Sequence, residues 1–125
     1  MQLDKPKGKY PFYYLKSCDT CQKILRSLPQ EKLILINIKD TPLDEKDLEQ
    51  LKMKAGTYQA LFNTKAQLLK SLAPEDKPVN EEDFKKLLLE HYTYLKRPVA
   101  LIGDQIFIGN ATETITNLAE YLKKS

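Results

Sequence analysis

The sequence is poor in the residues that bind metals and build disulfide frameworks. It has two cysteines and one histidine among 125 residues. A structural zinc site needs four ligands, and His91 lies far along the chain from Cys18 and Cys21, so we expect neither a metal nor another cofactor. In a reducing compartment we also do not expect the two cysteines to form a structural disulfide. Two interpretations of the cysteines remain: they carry out redox chemistry, or they are thiols that only pack against their neighbours.

Long apolar runs and a strong excess of charge are missing as well. No apolar run approaches the roughly 20 residues that cross a bilayer. The opening MQLDKPKGKY has basic residues but no apolar segment of a secretory signal, and we interpret residues 1–10 as a flexible tail. The net charge is +3, and most lysines lie among acidic residues. We therefore expect a cytoplasmic protein without direct contacts to nucleic acid or membrane.

The first third of the chain has the pattern of a strand, a helix and a second strand. PFYYLK, residues 11–16, is rich in β-forming side chains. Apolar side chains then recur at helical spacing, at Cys21, Ile24, Leu25 and Leu28. KLILIN, residues 32–37, is a continuous apolar run, which is typical of a strand buried on both faces of a parallel sheet. The order predicts a right-handed βαβ unit.

The end of the chain has the pattern of a hairpin followed by a helix. VALI and QIFI are separated by Gly103 and Asp104, a two-residue loop that favours a β-hairpin. The amphipathic helix that follows has its apolar positions at Ile115, Leu118, Ala119 and Leu122.

The middle of the chain has helical patterns. We predict one helix from Thr41 to about Lys54 and another that is capped by Asn80 and carries His91 on its inner face. The whole order predicts an α/β, thioredoxin-like fold, in which a βαβ unit and a ββα unit flank a helical insertion. We expect residues 11–125 to form a single domain with a helical lobe at about 41–96.

The two cysteines lie where the first strand gives way to the first helix. Unpaired N–H groups and the positive end of the helix dipole point toward Cys18, and cysteines in such settings have pKa values of about 3.5–7.5. Cys21 lies one turn further on the apolar face, where we expect a higher pKa. The spacing therefore predicts a nucleophile at Cys18 and a resolving thiol at Cys21, with Lys16, Lys23 and Arg97 as candidate sources of positive charge. The alternative is a core cysteine beside an incidental loop cysteine.

Other candidate residues have two interpretations. His91 is expected to be a packed, hydrogen-bonded side chain more often than a base. The polar segment from Asn63 to Lys65 is either an anion-facing loop or a polar link between helices.

Three segments resemble a known family: SCDTCQK, LFNTKAQLLKSL and LKRPVALIGDQIFIGN. Their order and separations are similar to those of the arsenate reductase/Spx family of thioredoxin-fold proteins. The resemblance implies a nucleophilic Cys18, an anion-contacting Arg97 and a cis-proline at Pro98. It also implies substrate contacts around Asn63 and Lys65, and we add Lys23 as a further candidate contact.

The family's glutaredoxin-linked arsenate reductases use three arginines around the oxyanion, and only Arg97 is present here. Asn63 stands at the second position, and the third falls near Gly109 and Asn110. Each charge-assisted contact is a strong one, so we expect arsenate reduction to be weak or absent. The resemblance instead implies a thiol–disulfide oxidoreductase supplied with electrons by thioredoxin, glutaredoxin or glutathione.

The C-x-x-C spacing also resembles that of the Spx regulators. These proteins sense oxidation and bind RNA polymerase, so the alternative is a redox-sensitive regulator that binds the polymerase α subunit. Gly56 falls about where Spx has the glycine of its polymerase contact, and it equally suits the end of a helix. Gln22 stands where Spx has an arginine.

Overall fold

A computed structural model of the protein describes residues 10–124. The backbone forms two compact units. The first comprises the described residues up to Lys39 together with those from Arg97 onward, and the second is Asp40–Lys96. The second unit has nearly the bounds of the predicted helical lobe, while the grouping of both units into one domain stays a prediction. The predicted tail lies outside the described residues, apart from Tyr10.

In chain order the helices and strands of the described residues are β1 (Tyr10–Tyr14), α1 (Asp19–Arg26), β2 (Leu33–Asn37), α2 (Glu45–Ala55), α3 (Gln67–Lys70), α4 (Glu81–Glu90), β3 (Val99–Ile102), β4 (Gln105–Ile108) and α5 (Thr112–Lys124). Short 3₁₀ turns cover Gln30–Lys32, Gln59–Leu61, Pro74–Asp76 and Tyr92–Tyr94. Within these residues no helix is long and apolar enough to span a membrane.

Within residues 10–124 the strands form one four-stranded sheet in the order β2-β1-β3-β4. β1 pairs with β2 in parallel, from Tyr10 opposite Leu33 to Tyr14 opposite Asn37. β3 runs antiparallel to both β1 and β4. A βαβ unit is thus joined to a hairpin and a helix, which is the predicted thioredoxin-like α/β fold. The hairpin turns at Gly103, whose φ of 61° is in the left-handed region that glycine readily adopts.

The core of the first unit lies between the sheet and two helices. Its buried members come from β1, α1 and the turn after it, β2, β3 and α5: Phe12, Tyr14, Cys21, Ile24, Leu25, Leu28, Leu33, Ala100, Ile102, Leu118 and Leu122. The helical spacing read from the sequence therefore identifies the inner faces of α1 and α5 correctly. Cys18 is only partly buried and packs against this cluster.

The prediction that the second strand is buried on both faces is wrong. β2 is an edge strand of the sheet, and Ile34 and Leu35 are 43% and 41% exposed. Leu33 and Ile38 are buried beside them. A continuous apolar run makes a strand compatible with burial on both faces. Whether both faces are buried depends on the position of the strand in the sheet.

The start of α2 also differs from the prediction. The helix begins at Glu45, not near Thr41, because Asp44 is its N-cap and accepts a hydrogen bond from the Asp47 N–H at 2.8 Å. Both Thr41 and Asp44 are favoured capping types, so local preference did not separate them. Gly56 follows the helix with a φ of 98°, as expected of a glycine at this position.

The second unit contains the predicted helices and a cluster of aromatic rings. Asn80 caps α4 by accepting the Asp83 N–H at 2.9 Å. The centroid of the Phe62 ring lies 5.0 Å from that of the Phe84 ring and 5.4 Å from that of the Tyr94 ring. These contacts tie α4 to the segments around Gln59–Leu61 and Tyr92–Tyr94.

His91 does not lie on the inner face of α4, because the helix ends at Glu90. Its ring instead stacks on Tyr92 at 4.5 Å, and its Nδ1 accepts the Thr93 N–H at 3.2 Å. The histidine is therefore packed and hydrogen-bonded, as expected, and it caps a 3₁₀ turn.

Candidate active site

Cys18 lies in the turn between β1 and α1. Its N–H donates to the carbonyl of Leu15 at 3.0 Å, which closes a four-residue turn. It has the extended backbone of an N-cap, with φ −90° and ψ 118°, and α1 begins at the next residue. The side chain therefore lies at the positive end of the helix dipole, where the sequence predicts it.

The surroundings of Cys18 favour its thiolate. Partial burial raises its pKa, but this is outweighed by the N–H and thiol of Cys21, the N–H of Thr20 and the charge of Arg97, so the pKa lies below its ordinary value. Neither N–H makes a full capping hydrogen bond to the side chain. Several contributions thus act together to favour the thiolate, as in other proteins with a cysteine at a helix start.

Cys21 has the opposite environment. It is 1% exposed and belongs to the core, and burial raises its pKa from 9.0 to about 11. The Leu15 N–H and the Arg97 charge oppose the rise, while the negative charge of Cys18 adds to it. Both cysteines are free thiols. The site therefore has the predicted asymmetry of an accessible thiolate beside a buried, protonated neighbour.

Two side-chain amides contact the turn that carries Cys18. The Lys16 N–H donates to Oδ1 of Asn37 at 3.0 Å, and Nε2 of Gln22 donates to the Lys16 carbonyl at 2.7 Å. Neither contact is predicted from the sequence. A signal was present for Asn37, because it ends a strand parallel to β1, and the carboxyl ends of parallel strands meet at one edge of a sheet.

Arg97 and Pro98 lie directly before β3. The peptide bond between them is cis, as the resemblance implies. The Pro98 carbonyl accepts the Gly109 N–H at 2.8 Å, which ties this segment to the end of β4. Arg97 acts electrostatically on both Cys18 and Cys21, so the fold brings these three predicted residues together.

The other cations suggested for the site have a different placement. Lys16 and Lys23 are exposed, one before Cys18 in the turn and the other on the outer face of α1. The charge of Arg97 is among the contributions that lower the pKa of Cys18. Among residues 10–124 no three metal-ligating side chains form a cluster.

Asn63 and Lys65 belong to the second unit. The Asn63 N–H donates to the Tyr94 carbonyl at 2.7 Å, its Oδ1 accepts the Lys65 N–H at 3.0 Å, and its Nδ2 lies 3.4 Å from the Thr93 carbonyl. The carboxamide of Asn63 thus holds a local turn, and the side chain of Lys65 is exposed.

Several solved structures have a similar fold. An arsenate reductase from Vibrio cholerae has a TM-score of 0.72 and 19% identity, over 90% of this chain and 98% of that one. An arsenate reductase (ArsC) related protein from Brucella melitensis has a TM-score of 0.67 and 20% identity, over 87% of this chain and 92% of that one. The YffB protein has a TM-score of 0.75 and 23% identity, over 89% of this chain and 99% of that one.

A search of curated proteins gives no match. The sequence model described as "ArsC family" matches residues 13–118, a segment that contains both cysteines, Arg97 and Pro98. With most of its length matched by this model, the chain belongs to the ArsC family.

Proposed function

We propose that this protein is a thiol–disulfide oxidoreductase in which Cys18 is the nucleophile and Cys21 the resolving thiol. The observation that carries the proposal is the contrast between two adjacent sulfurs. The pKa of Cys18 is lowered at the start of α1, while Cys21 is buried beneath it with a pKa of about 11. Thiolates, not thiols, attack disulfides, so this arrangement assigns the first attack to Cys18.

The reaction uses the two thiols as a two-electron donor. The Cys18 thiolate attacks one sulfur of a substrate disulfide, a mixed disulfide forms, and the other substrate sulfur leaves as a thiolate that takes up a proton. Cys21 then loses its proton and attacks Sγ of Cys18. The intramolecular disulfide forms, the second substrate thiol leaves, and the substrate has been reduced by two electrons.

Loss of the negative charge on Cys18 prepares the second step. The charge of Cys18 and its hydrogen bond with Cys21 both raise the pKa of Cys21. Both effects end when Cys18 enters the mixed disulfide, so the resolving thiol becomes easier to ionise when it is needed. The N–H of Leu15 and the charge of Arg97 already favour its thiolate.

Arg97 is proposed to steady the Cys18 thiolate or an anionic part of the substrate. Pro98 and Lys23 are proposed as further substrate contacts, while the substrate contacts that the resemblance implies at Asn63 and Lys65 stay predictions. With one arginine in place of the three used by glutaredoxin-linked arsenate reductases, arsenate turnover is expected to be weak or absent.

The oxidised pair must be reduced again by a thiol donor. Thioredoxin, glutaredoxin or glutathione can each supply two electrons by thiol–disulfide exchange, and these donors maintain the reducing cytoplasm, where we place the protein.

Single-cysteine variants test the assignment. Cys18→Ser is expected to abolish reduction of a model disulfide, such as a mixed disulfide of glutathione. Cys21→Ser is expected to stop after the first step and accumulate a mixed disulfide on Cys18, which mass spectrometry of the intact protein detects. Unchanged turnover by Cys18→Ser, or an ordinary pKa for Cys18, would contradict the proposal.

A redox-sensitive regulator would use the same disulfide but would also need a binding surface for RNA polymerase. Gly56 is the residue that the resemblance connects with such a contact. Its φ of 98° at the end of α2 already accounts for a glycine there, so the enzyme is favoured. A pull-down with the polymerase α subunit separates the two functions, because redox-dependent binding supports only the regulator.

A further inference from the structure

We infer that Gln22 and Asn37 are positioning residues for Cys18. Their carboxamides hold the two backbone polar groups of Lys16, and through them the turn that carries the nucleophile. This inference rests on the proposed role of Cys18 and goes further, because it assigns the geometry of the thiolate to two neutral side chains outside the pair of cysteines.

The contact of Asn37 acts on the peptide plane between Leu15 and Lys16. The N–H of this plane donates to Asn37 Oδ1 at 3.0 Å, and its carbonyl accepts the Cys18 N–H at 3.0 Å. A peptide unit is rigid and planar, so a contact on one side fixes the direction of the other. Asn37 therefore orients the carbonyl that holds the Cys18 backbone.

The contact of Gln22 acts on the next peptide plane, between Lys16 and Ser17. Its Nε2 donates to the carbonyl of that plane at 2.7 Å, while its own N–H donates to the Cys18 carbonyl at 3.1 Å. Gln22 thus donates hydrogen bonds to the backbone carbonyls on both sides of Ser17. The turn is attached to the first turn of α1, which also supplies the N–H groups that favour the thiolate.

Together the two side chains restrict the backbone angles of Lys16, because they hold the peptide planes on both sides of its Cα. Both contacts are exposed to solvent, so water can satisfy the N–H and the carbonyl of Lys16 equally well. The two contacts therefore contribute little by satisfying buried groups. Their main effect is the direction of the turn, and so the alignment of the Cys18 sulfur with the N–H groups of Thr20 and Cys21.

The test is the pH dependence of Cys18 alkylation by iodoacetamide in the intact protein, with the modified residue assigned by mass spectrometry. Gln22→Met keeps the side-chain length and removes the donor, and Asn37→Leu keeps the size and removes the acceptor. Each variant is expected to raise the pKa of Cys18 by roughly half a unit to one unit, which slows alkylation about three- to tenfold at a pH that lies a unit or more below the native pKa.

Gln30→Met is the matched control. Nε2 of Gln30 donates to the Leu25 carbonyl at 3.1 Å, so this variant also loses one amide-to-backbone contact, but at the other end of α1. It is expected to change the melting temperature about as much as Gln22→Met and to leave the Cys18 pKa unchanged. Asn37→Asp keeps the acceptor, and in high salt, which screens its added charge, it is expected to restore the wild-type pKa.

The outcomes separate this inference from the proposed function. A depressed Cys18 pKa in the wild type that stays unchanged in Gln22→Met and Asn37→Leu overturns the positioning role alone. A rise of the same size in Gln30→Met also overturns it, because the effect would then reflect general loss of stability. An ordinary Cys18 pKa in the wild type removes the proposed function and this inference together.

Discussion

The thiol of Cys21 donates a hydrogen bond to the sulfur of Cys18 from one turn deeper in α1. The contact lowers the pKa of Cys18 and raises that of Cys21. One interaction thus widens the difference between two chemically identical groups. Such a difference in pKa distinguishes a nucleophilic cysteine from a resolving one.

Removal of this hydrogen bond should make Cys18 less acidic. Cys21→Ala is expected to raise the Cys18 pKa by roughly half a unit, because the thiolate loses a donor. Cys21→Ser retains an O–H donor and should raise it less. The pH profile of thiolate absorbance measures both variants, and an equal pKa in Cys21→Ala and the wild type would show that the contact does not stabilise the thiolate.

Arg97 should act on Cys18 mainly through its charge. Arg97→Gln is expected to raise the Cys18 pKa by up to roughly half a unit at low ionic strength, and added salt should shrink this difference. Arg26→Gln is the control, since it changes the net charge equally at the opposite end of α1. Equal shifts in the two variants would mean that only the overall charge of the protein matters.

The two cysteines should give stability opposite pH dependences. The lowered pKa of Cys18 contributes stability that is complete above its unfolded pKa of about 9 and is lost as pH falls through its native pKa. Cys21 stays protonated in the native state until about pH 11, while the unfolded thiol ionises near 9.0, so stability declines as pH rises between these values.

Urea unfolding between pH 9 and 11 isolates the contribution of Cys21. The wild type is expected to lose at most roughly 3 kcal/mol more than Cys21→Ala over this interval, since one pKa unit corresponds to about 1.4 kcal/mol. Groups common to both proteins, such as lysines and tyrosines, cancel in the comparison. Parallel curves for the two proteins would contradict a strongly raised Cys21 pKa.

Two isoleucines on different strands should tolerate truncation very differently. Ile102 in β3 is fully buried, and Ile102→Ala is expected to cost about 2–5 kcal/mol of unfolding free energy. Ile34 in the outer strand β2 is 43% exposed, and Ile34→Ala is expected to cost about 1 kcal/mol or less. Chemical denaturation measures both costs, and similar values would contradict the placement of β2 at the edge.

The local elements were accessible from the sequence because their signals lie within a few residues of one another. The apolar side chains of α1 recur at helical spacing, and the pair Gly103 and Asp104 sits where only a tight turn fits between two apolar runs. The start of α2 was missed because Thr41 and Asp44 are both good caps, and the choice between them depends on the path of the chain that leads into the helix.

The chain order alone determined that two thiols stand one helical turn apart at a strand-to-helix junction, with Cys21 on the apolar face of α1. That much follows from helix periodicity, which needs no partner. The tertiary structure decided what surrounds Cys18. Asn37 reaches the turn because β2 pairs with β1 in parallel, and Arg97 acts on the sulfur because β3 pairs with β1 on its other side. Contacts between distant segments depend on strand order, which no local pattern encodes.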